Sequence, residues 1–134
     1  MIKYLLDTNI CIFIIKKKPI EVINKLRKLI IEDVGISTIT ISEMEYGVSK
    51  SNRKEENKFS LAEFLAPFEI VHYDDNAAKH YGEIRAELEK QGNIIGGMDL
   101  LLAAQALASN AILVTNNTKE FKRINGLKIE DWVN

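Results

Sequence analysis

The sequence predicts an α/β fold in which a largely parallel central sheet is flanked by helices. Three observations carry this prediction. Short apolar runs of strand character alternate along the chain with segments of helical periodicity. Two of the strand-like runs end alike: Tyr4-Leu5-Leu6 meets Asp7-Thr8-Asn9, and Ile112-Leu113-Val114 meets Thr115-Asn116-Asn117. The segment Leu100 to Ser109 is apolar on nearly every side, as a buried helix must be.

The elements follow in order. Ile2 to Leu6 reads as the first strand, and Asp7 as the N-cap of a helix from Thr8 to Lys17. Val22, Ile23, Leu26, Leu29 and Ile30 form the apolar stripe of a helix from Ile20 to Ile31. Val34 to Ser37 is the second strand. A short helix over Ser42 to Ser49 follows, with two capping-box spacings, Thr40 to Glu43 and Ser42 to Glu45. The polar segment from Lys50 to Lys58 is a loop or an exposed helix start, and a helix runs from Lys54 to Leu65. Glu69 to His72 is a strand. Ala77, His80, Tyr81, Ile84 and Leu88 place a helix over Asn76 to Gln91. Asp99 stands just before the buried helix as a further cap. Ile112 to Thr115 is the fourth strand, Asn117 and Glu120 have capping-box spacing at a short helix near Thr118, and Leu127 to Glu130 is a weak fifth strand.

The totals bound the rest. The 134 residues suit one domain over 1–134 with a sizeable core, and 46% hydrophobic with 28% charged content is that of a soluble globular chain. The longest apolar stretches, such as Ile10 to Ile15, are too short to span a bilayer, and Met1 leads straight into a strand, so neither membrane span nor leader is expected. The single cysteine, Cys11, has no internal partner for a disulfide and lies in an apolar run; a packed residue in a reducing cytoplasm is the expectation. The net charge is −1, so composition does not argue for binding dominated by phosphate contacts. Basic residues do cluster, at Lys16-Lys17-Lys18, at Lys25, Arg27 and Lys28, at Arg53-Lys54, and at Lys119, Lys122 and Arg123. Each cluster alone reads as solvated surface.

The carboxylates are more informative together than apart. Asp7, Glu43, Asp99 and the pair Asn117 and Glu120 each read singly as helix caps. In a parallel sheet, however, helix starts share the edge at the carboxyl ends of the strands, where ligands of such folds bind. Three or four carboxylates converging there repel and raise one another's pKa values. A divalent cation relieves that repulsion, and Mg²⁺ or Mn²⁺, which prefer oxygen ligands, suit the donor set. Zinc does not, because His72 and His80 are isolated and Cys11 is the only thiol. Carboxylates around a hard cation support phosphodiester hydrolysis.

These residues resemble the PIN-domain family, specifically its bacterial VapC-type toxins. The resemblance covers nearly the whole chain in order. "YLLDTNICIFII" resembles the opening strand with the first acid, Asp7. "ISTITISEMEYGV" resembles the segment of the second, which selects Glu43 over Glu45. "IIGGMDLLLAAQAL" resembles the third-acid motif with Asp99, and "ILVTNNTKEFKRINGLKIEDW" the closing strand and fourth polar site. The resemblance implies a PIN-like three-layer sandwich and a Mg²⁺- or Mn²⁺-dependent endoribonuclease. Asp7 and Asp99 would bind the metal, and Asp7, Glu43, Asp99, Asn117 and Glu120 would form the catalytic set. It implies a toxin that cuts structured RNA, with transfer RNA the expected substrate and 5′-phosphate and 3′-OH ends the expected products. A cognate VapB-type antitoxin and a homodimer are the implied partners. One departure stands out: many family members carry an aspartate just beyond the fourth strand, where this chain has Asn116 and Asn117 with Glu120 a turn later.

Other classes fit less well. A phosphoacceptor receiver domain wants an acidic pair after its first strand region, and an aspartyl phosphatase a second Asp two residues after the first; positions 8 and 9 are Thr and Asn. The remaining alternative is a catalytically inactive PIN-like module that binds RNA or protein.

Overall fold

The computed structural model describes residues 1–134. Five strands form one sheet: β1 (Tyr4–Leu6), β2 (Val34–Ser37), β3 (Glu69–Val71), β4 (Ile112–Val114) and β5 (Ile129–Glu130), in the order β3-β2-β1-β4-β5. Every pairing is parallel. Seven helices connect them: α1 (Thr8–Lys16), α2 (Ile20–Arg27), α3 (Thr38–Ser49), α4 (Lys54–Leu65), α5 (Asp75–Gln91), α6 (Gly97–Ala108) and α7 (Thr118–Phe121). None is long and apolar enough to cross a membrane.

Side chains alternate across the strands and so divide the core in two. Leu5 and Leu113 point into one half with Leu88, Leu100, Ala103, Phe121 and Ile124, from α5, α6 and the segment around α7. Leu6 and Val114 point into the other with Ile10, Val22, Met44 and Leu61, from α1 to α4. Helices therefore cover both faces, and the predicted three-layer sandwich is what forms. Cys11 is fully buried in the second half, a packing residue as expected.

The strand order locates a crevice. The chain leaves β1 toward β2 on one side and leaves β4 toward β5 on the other. Connections diverging from neighbouring strands open a cleft at their carboxyl ends. Asp7 follows β1 there, and Thr115 follows β4.

Several boundaries differ from the sequence reading. Helix α2 stops at Arg27 rather than Ile31, and a short 3₁₀ turn, Ile31–Asp33, leads into β2. Helix α3 begins at Thr38, four residues before the expected start, with Ser37 as its cap accepting the Ile39 N–H at 2.9 Å. Glu43 therefore sits in the second turn, and neither expected capping box exists. Thr40 is fully buried with no hydrogen-bond partner for its hydroxyl, and Ser42 donates to the Thr38 carbonyl at 3.0 Å. Helix α6 begins at Gly97, capped by Gly96, so Asp99 lies in its first turn rather than before it.

Candidate active site

Asp7 is held by the local rule that sequence reading expected. It is the N-cap of α1, in extended backbone conformation, and its Oδ1 accepts the Ile10 N–H at 2.9 Å. Its own N–H donates to the Val114 carbonyl at 3.0 Å, which ties the cap to the end of β4. The carboxyl is only 7% exposed. Burial raises its pKa, and the Glu43 charge adds to that. The Thr115 hydroxyl and the Ile10 N–H oppose the rise without cancelling it.

Glu43 reaches the same edge from the second turn of α3. Its Oε1 accepts the Thr8 hydroxyl at 2.6 Å, so the residue after Asp7 orients the second acid. Glu45 is exposed, two positions along the same helix.

Asp99 and Glu120 form a close pair. Burial is the largest influence on Asp99, followed by the charge of Glu120 and a hydrogen bond to it, then by Asp7 and Glu43. Together they push its carboxyl up to about 7. For Glu120, burial works upward, but the Gly96 N–H, the Asn117 amide, Asp99 and the Arg123 charge outweigh it and lower the pKa. The two shifts are opposite in direction, so the pair as a whole holds a proton more tightly than two free carboxyls would. Glu120 Oε1 accepts the Gly96 N–H at 2.8 Å, and its Oε2 accepts Asn117 Nδ2 at 3.0 Å.

Asn117 does not cap α7 with its side chain, contrary to the sequence expectation. It occupies the N-cap position, but its amide donates to Glu120 instead. Its backbone N–H donates to the Thr115 hydroxyl oxygen at 3.0 Å. The Nδ2–Glu120 bond fixes the amide group, and its Oδ1 accepts no backbone N–H of α7.

All five expected residues therefore lie around the carboxyl ends of β1 and β4. Four others matter that sequence reading passed over: Thr8, Thr115, Gly96 and Arg123. Thr115 carried a signal, a small hydroxyl following a buried strand; it is fully buried and braces both Asp7 and Asn117. The roles of Thr8, Gly96 and Arg123 depend on partners 35, 24 and 29 residues away, and no local pattern reveals them.

The donor set is made of carboxylate and amide oxygens, and the neighbouring acids add to the raised values of Asp7 and Asp99. That chemistry fits a hard divalent cation. No three His, Cys, Asp or Glu side chains are grouped to hold an ion by themselves. Mg²⁺ does not require that, because it keeps several waters and binds through one or two carboxylates.

Comparison with known proteins agrees with the geometry. The PIN domain family model matches residues 4–127. Ribonuclease VapC2 of Rickettsia felis is 49% identical over 130 residues, 96% of this chain and 97% of the relative. The tRNA(fMet)-specific endonuclease VapC of Shigella flexneri is 44% identical, covering 98% of this chain and 99% of the relative. The structure of VapBC2 from Rickettsia felis, bound to a DNA fragment from its promoter, superposes with a TM-score of 0.90 at 48% identity, covering 98% of this chain and 99% of that one. A family match over nearly the whole chain, near-complete relatives of this identity and a superposable fold all point one way: the chain belongs to the PIN domain family, among its VapC ribonucleases.

Proposed function

We propose that this chain is the toxin of a toxin–antitoxin pair, a divalent-cation-dependent endoribonuclease that cuts structured RNA, with transfer RNA as substrate class. The observation that carries the reading is the gathering of Asp7, Glu43, Asp99 and Glu120 at one sheet edge in a chain of ribonuclease kinship. Asp7 and Asp99 would hold Mg²⁺ or Mn²⁺. When bound, that cation acidifies water and neutralises charge developing on the phosphate. At Asp99, whose proton affinity the site raises, the cation would compete with a proton. Glu43, fixed by Thr8, and Glu120, fixed by Gly96 and Asn117, would accept hydrogen bonds from water and orient it toward phosphorus. Asn117 then acts through Glu120. Water rather than the ribose 2′-OH is the nucleophile, so the products carry 5′-phosphate and 3′-OH ends.

The partner reading rests on a groove. Between α1, α3 and α4 lies a cavity of about 350 Å³ lined by Ile12, Ile15, Met44, Val48 and Leu61, and it reaches Thr8 and Glu43 at the candidate site. An amphipathic segment of a VapB-type antitoxin laid there would cover the entrance to the carboxylates. The known VapBC2 assembly of Rickettsia felis supports such a partner. A homodimer and a cytoplasmic location belong to the same reading.

Purified protein incubated with transfer RNA and Mg²⁺, followed by mapping of the RNA ends, tests the function. The expected result is 5′-phosphate and 3′-OH ends from the wild type, none after EDTA, and none from Asp7→Asn. Cyclic 2′,3′-phosphate ends, or full activity in Asp7→Asn, would overturn it. An inactive wild type would favour the binding-module alternative.

A further inference from the structure

We propose that Arg123 is a positioning residue, which clamps the connection between α5 and α6 against α7 and thereby sets the orientation of Glu120. The connection spans residues 92–96 and leads directly into the helix that carries Asp99. It leaves α5 through Gly92, whose φ of 72° is a left-handed conformation that suits glycine. Three attachments then hold it to the segment around α7. Arg123 Nη1 donates to the Ile94 carbonyl at 3.0 Å. Ile95, buried, shares a core cluster with Phe121 and Ile124, which flank Arg123 on both sides. The Gly96 N–H reaches Glu120 Oε1 at 2.8 Å.

The attachments act in series. Ile94 is exposed at its side chain, so its carbonyl, gripped by Arg123, is what fixes that end of the connection. Two residues later the chain presents the Gly96 N–H. A glycine pair at positions 96 and 97 leaves this stretch little side-chain packing of its own, and a Cβ at Gly97 would touch nothing within 4 Å. Its backbone bonds, Asn93 N–H to the Leu88 carbonyl and Leu100 N–H to the Gly96 carbonyl, tie it to α5 and α6; without the Arg123 grip, Ile95 and the Gly96–Glu120 hydrogen bond would be left to hold it to the segment around α7. Arg123 also contributes positive charge near Glu120. One side chain therefore supports the Glu120 carboxylate twice, through the backbone it holds and through its own charge. Outer partners of a metal site commonly matter about 10–100-fold to activity or metal affinity.

This inference rests on Glu120 belonging to the proposed site, and its test reads the clamp without catalysis. Backbone amide hydrogen exchange is measured for wild type, Arg123→Ala and Arg123→Lys without RNA, and kcat, KM and the Mg²⁺ dependence are measured alongside. In Arg123→Ala the Gly96 amide should exchange about tenfold faster while Leu113, in the central sheet, keeps its protection. The Mg²⁺ needed for half-maximal cleavage should rise about tenfold and kcat should fall, with KM for RNA little changed. Arg123→Lys, which keeps the charge and a donor, should restore part of both effects. Unchanged Gly96 exchange in Arg123→Ala overturns the clamp, whatever happens to activity. So does a rise in KM alone, which would mark Arg123 as a contact to RNA phosphate. Faster exchange everywhere, Leu113 included, would assign Arg123 to general stability and equally overturn it. A failure of Asp7→Asn to abolish cleavage would instead remove the site and leave the exchange result standing.

Discussion

Asp99 is the residue whose surroundings most oppose its charge, and that has a consequence for stability. Its carboxyl is raised from 3.8 to about 7 by burial and by three neighbouring acids. Between those two values the folded chain binds more protons at Asp99 than the unfolded chain does. Stability from this group is therefore present at low pH and declines as pH rises through about 7. Glu120 is shifted the opposite way, so its contribution declines only as pH falls below the ordinary glutamate range. Above the ordinary glutamate value of 4.5 only the Asp99 contribution changes with pH. In EDTA, the wild-type melting temperature should fall between pH 5 and pH 8, and Asp99→Asn should flatten that dependence and melt higher than wild type at pH 8. A steeper or unchanged slope in the variant would show that the charge is relieved in some other way. Thr115 makes a second case at this scale. Thr115→Val keeps the shape but leaves the Asn117 N–H without its acceptor and Asp7 without the hydroxyl. It should cost about 1–3 kcal/mol in a urea melt and weaken cleavage, whereas a purely space-filling threonine would tolerate it.

At the scale of elements, what could be read from sequence depended on whether a rule was local. Asp7 obeys one: a carboxylate between a strand and an apolar helix caps the helix, and the side chain does so. Helix α3 broke one. Thr38, Ile39, Thr40 and Ile41 are β-branched, and such runs have poor helix propensity, so the helix seemed to begin after them. Burial of Thr40 and Met44 against the sheet overrides that preference. Helix α6 starts three residues before Leu100, at Gly97, although glycine is a poor helix former. The Asn117 amide bonds Glu120 instead of capping α7. The meeting of the acids at one sheet edge followed from the α/β pattern; the strand order β3-β2-β1-β4-β5 and the hydrogen bonds that aim each acid did not, because they link distant segments. Helix geometry in α3 makes a prediction of its own. Glu43 and Glu45 are two residues apart, about 200° around the axis, so only one faces the edge. Glu43 does, through Thr8. Glu43→Gln should lower kcat by about 10–100-fold, and Glu45→Gln should leave it within about twofold. The reverse pattern would mean that α3 presents its other face to the RNA.

At the scale of the whole molecule, the site is a place where folding and ligand binding oppose each other. Two separate core halves bring β1 and β4 together with their ends flush, and this sets Asp7 and the Asp99–Glu120 pair facing one another. The sheet thereby concentrates negative charge that the bare fold must tolerate, by hydrogen bonds from Ile10 and Thr115 at Asp7 and by a raised proton affinity at Asp99. A cation that binds only the folded chain should return that stability by mass action, about 1.4 kcal/mol at ten times its Kd. For a chain of 134 residues that corresponds to a rise of about 5 °C in melting temperature. A binding shift independent of pH would require that no proton be displaced; because the cation competes with a proton at Asp99, the shift should shrink as pH falls from 8 to 6. Asp7→Asn and Asp99→Asn should each abolish most of it, while Glu45→Gln should retain it in full. The measurement is a melting series against Mg²⁺ at the two pH values, with no RNA present. A shift that is equal in all variants would locate the cation on surface acids elsewhere, and a shift that grows toward pH 6 would contradict the raised proton affinity of Asp99.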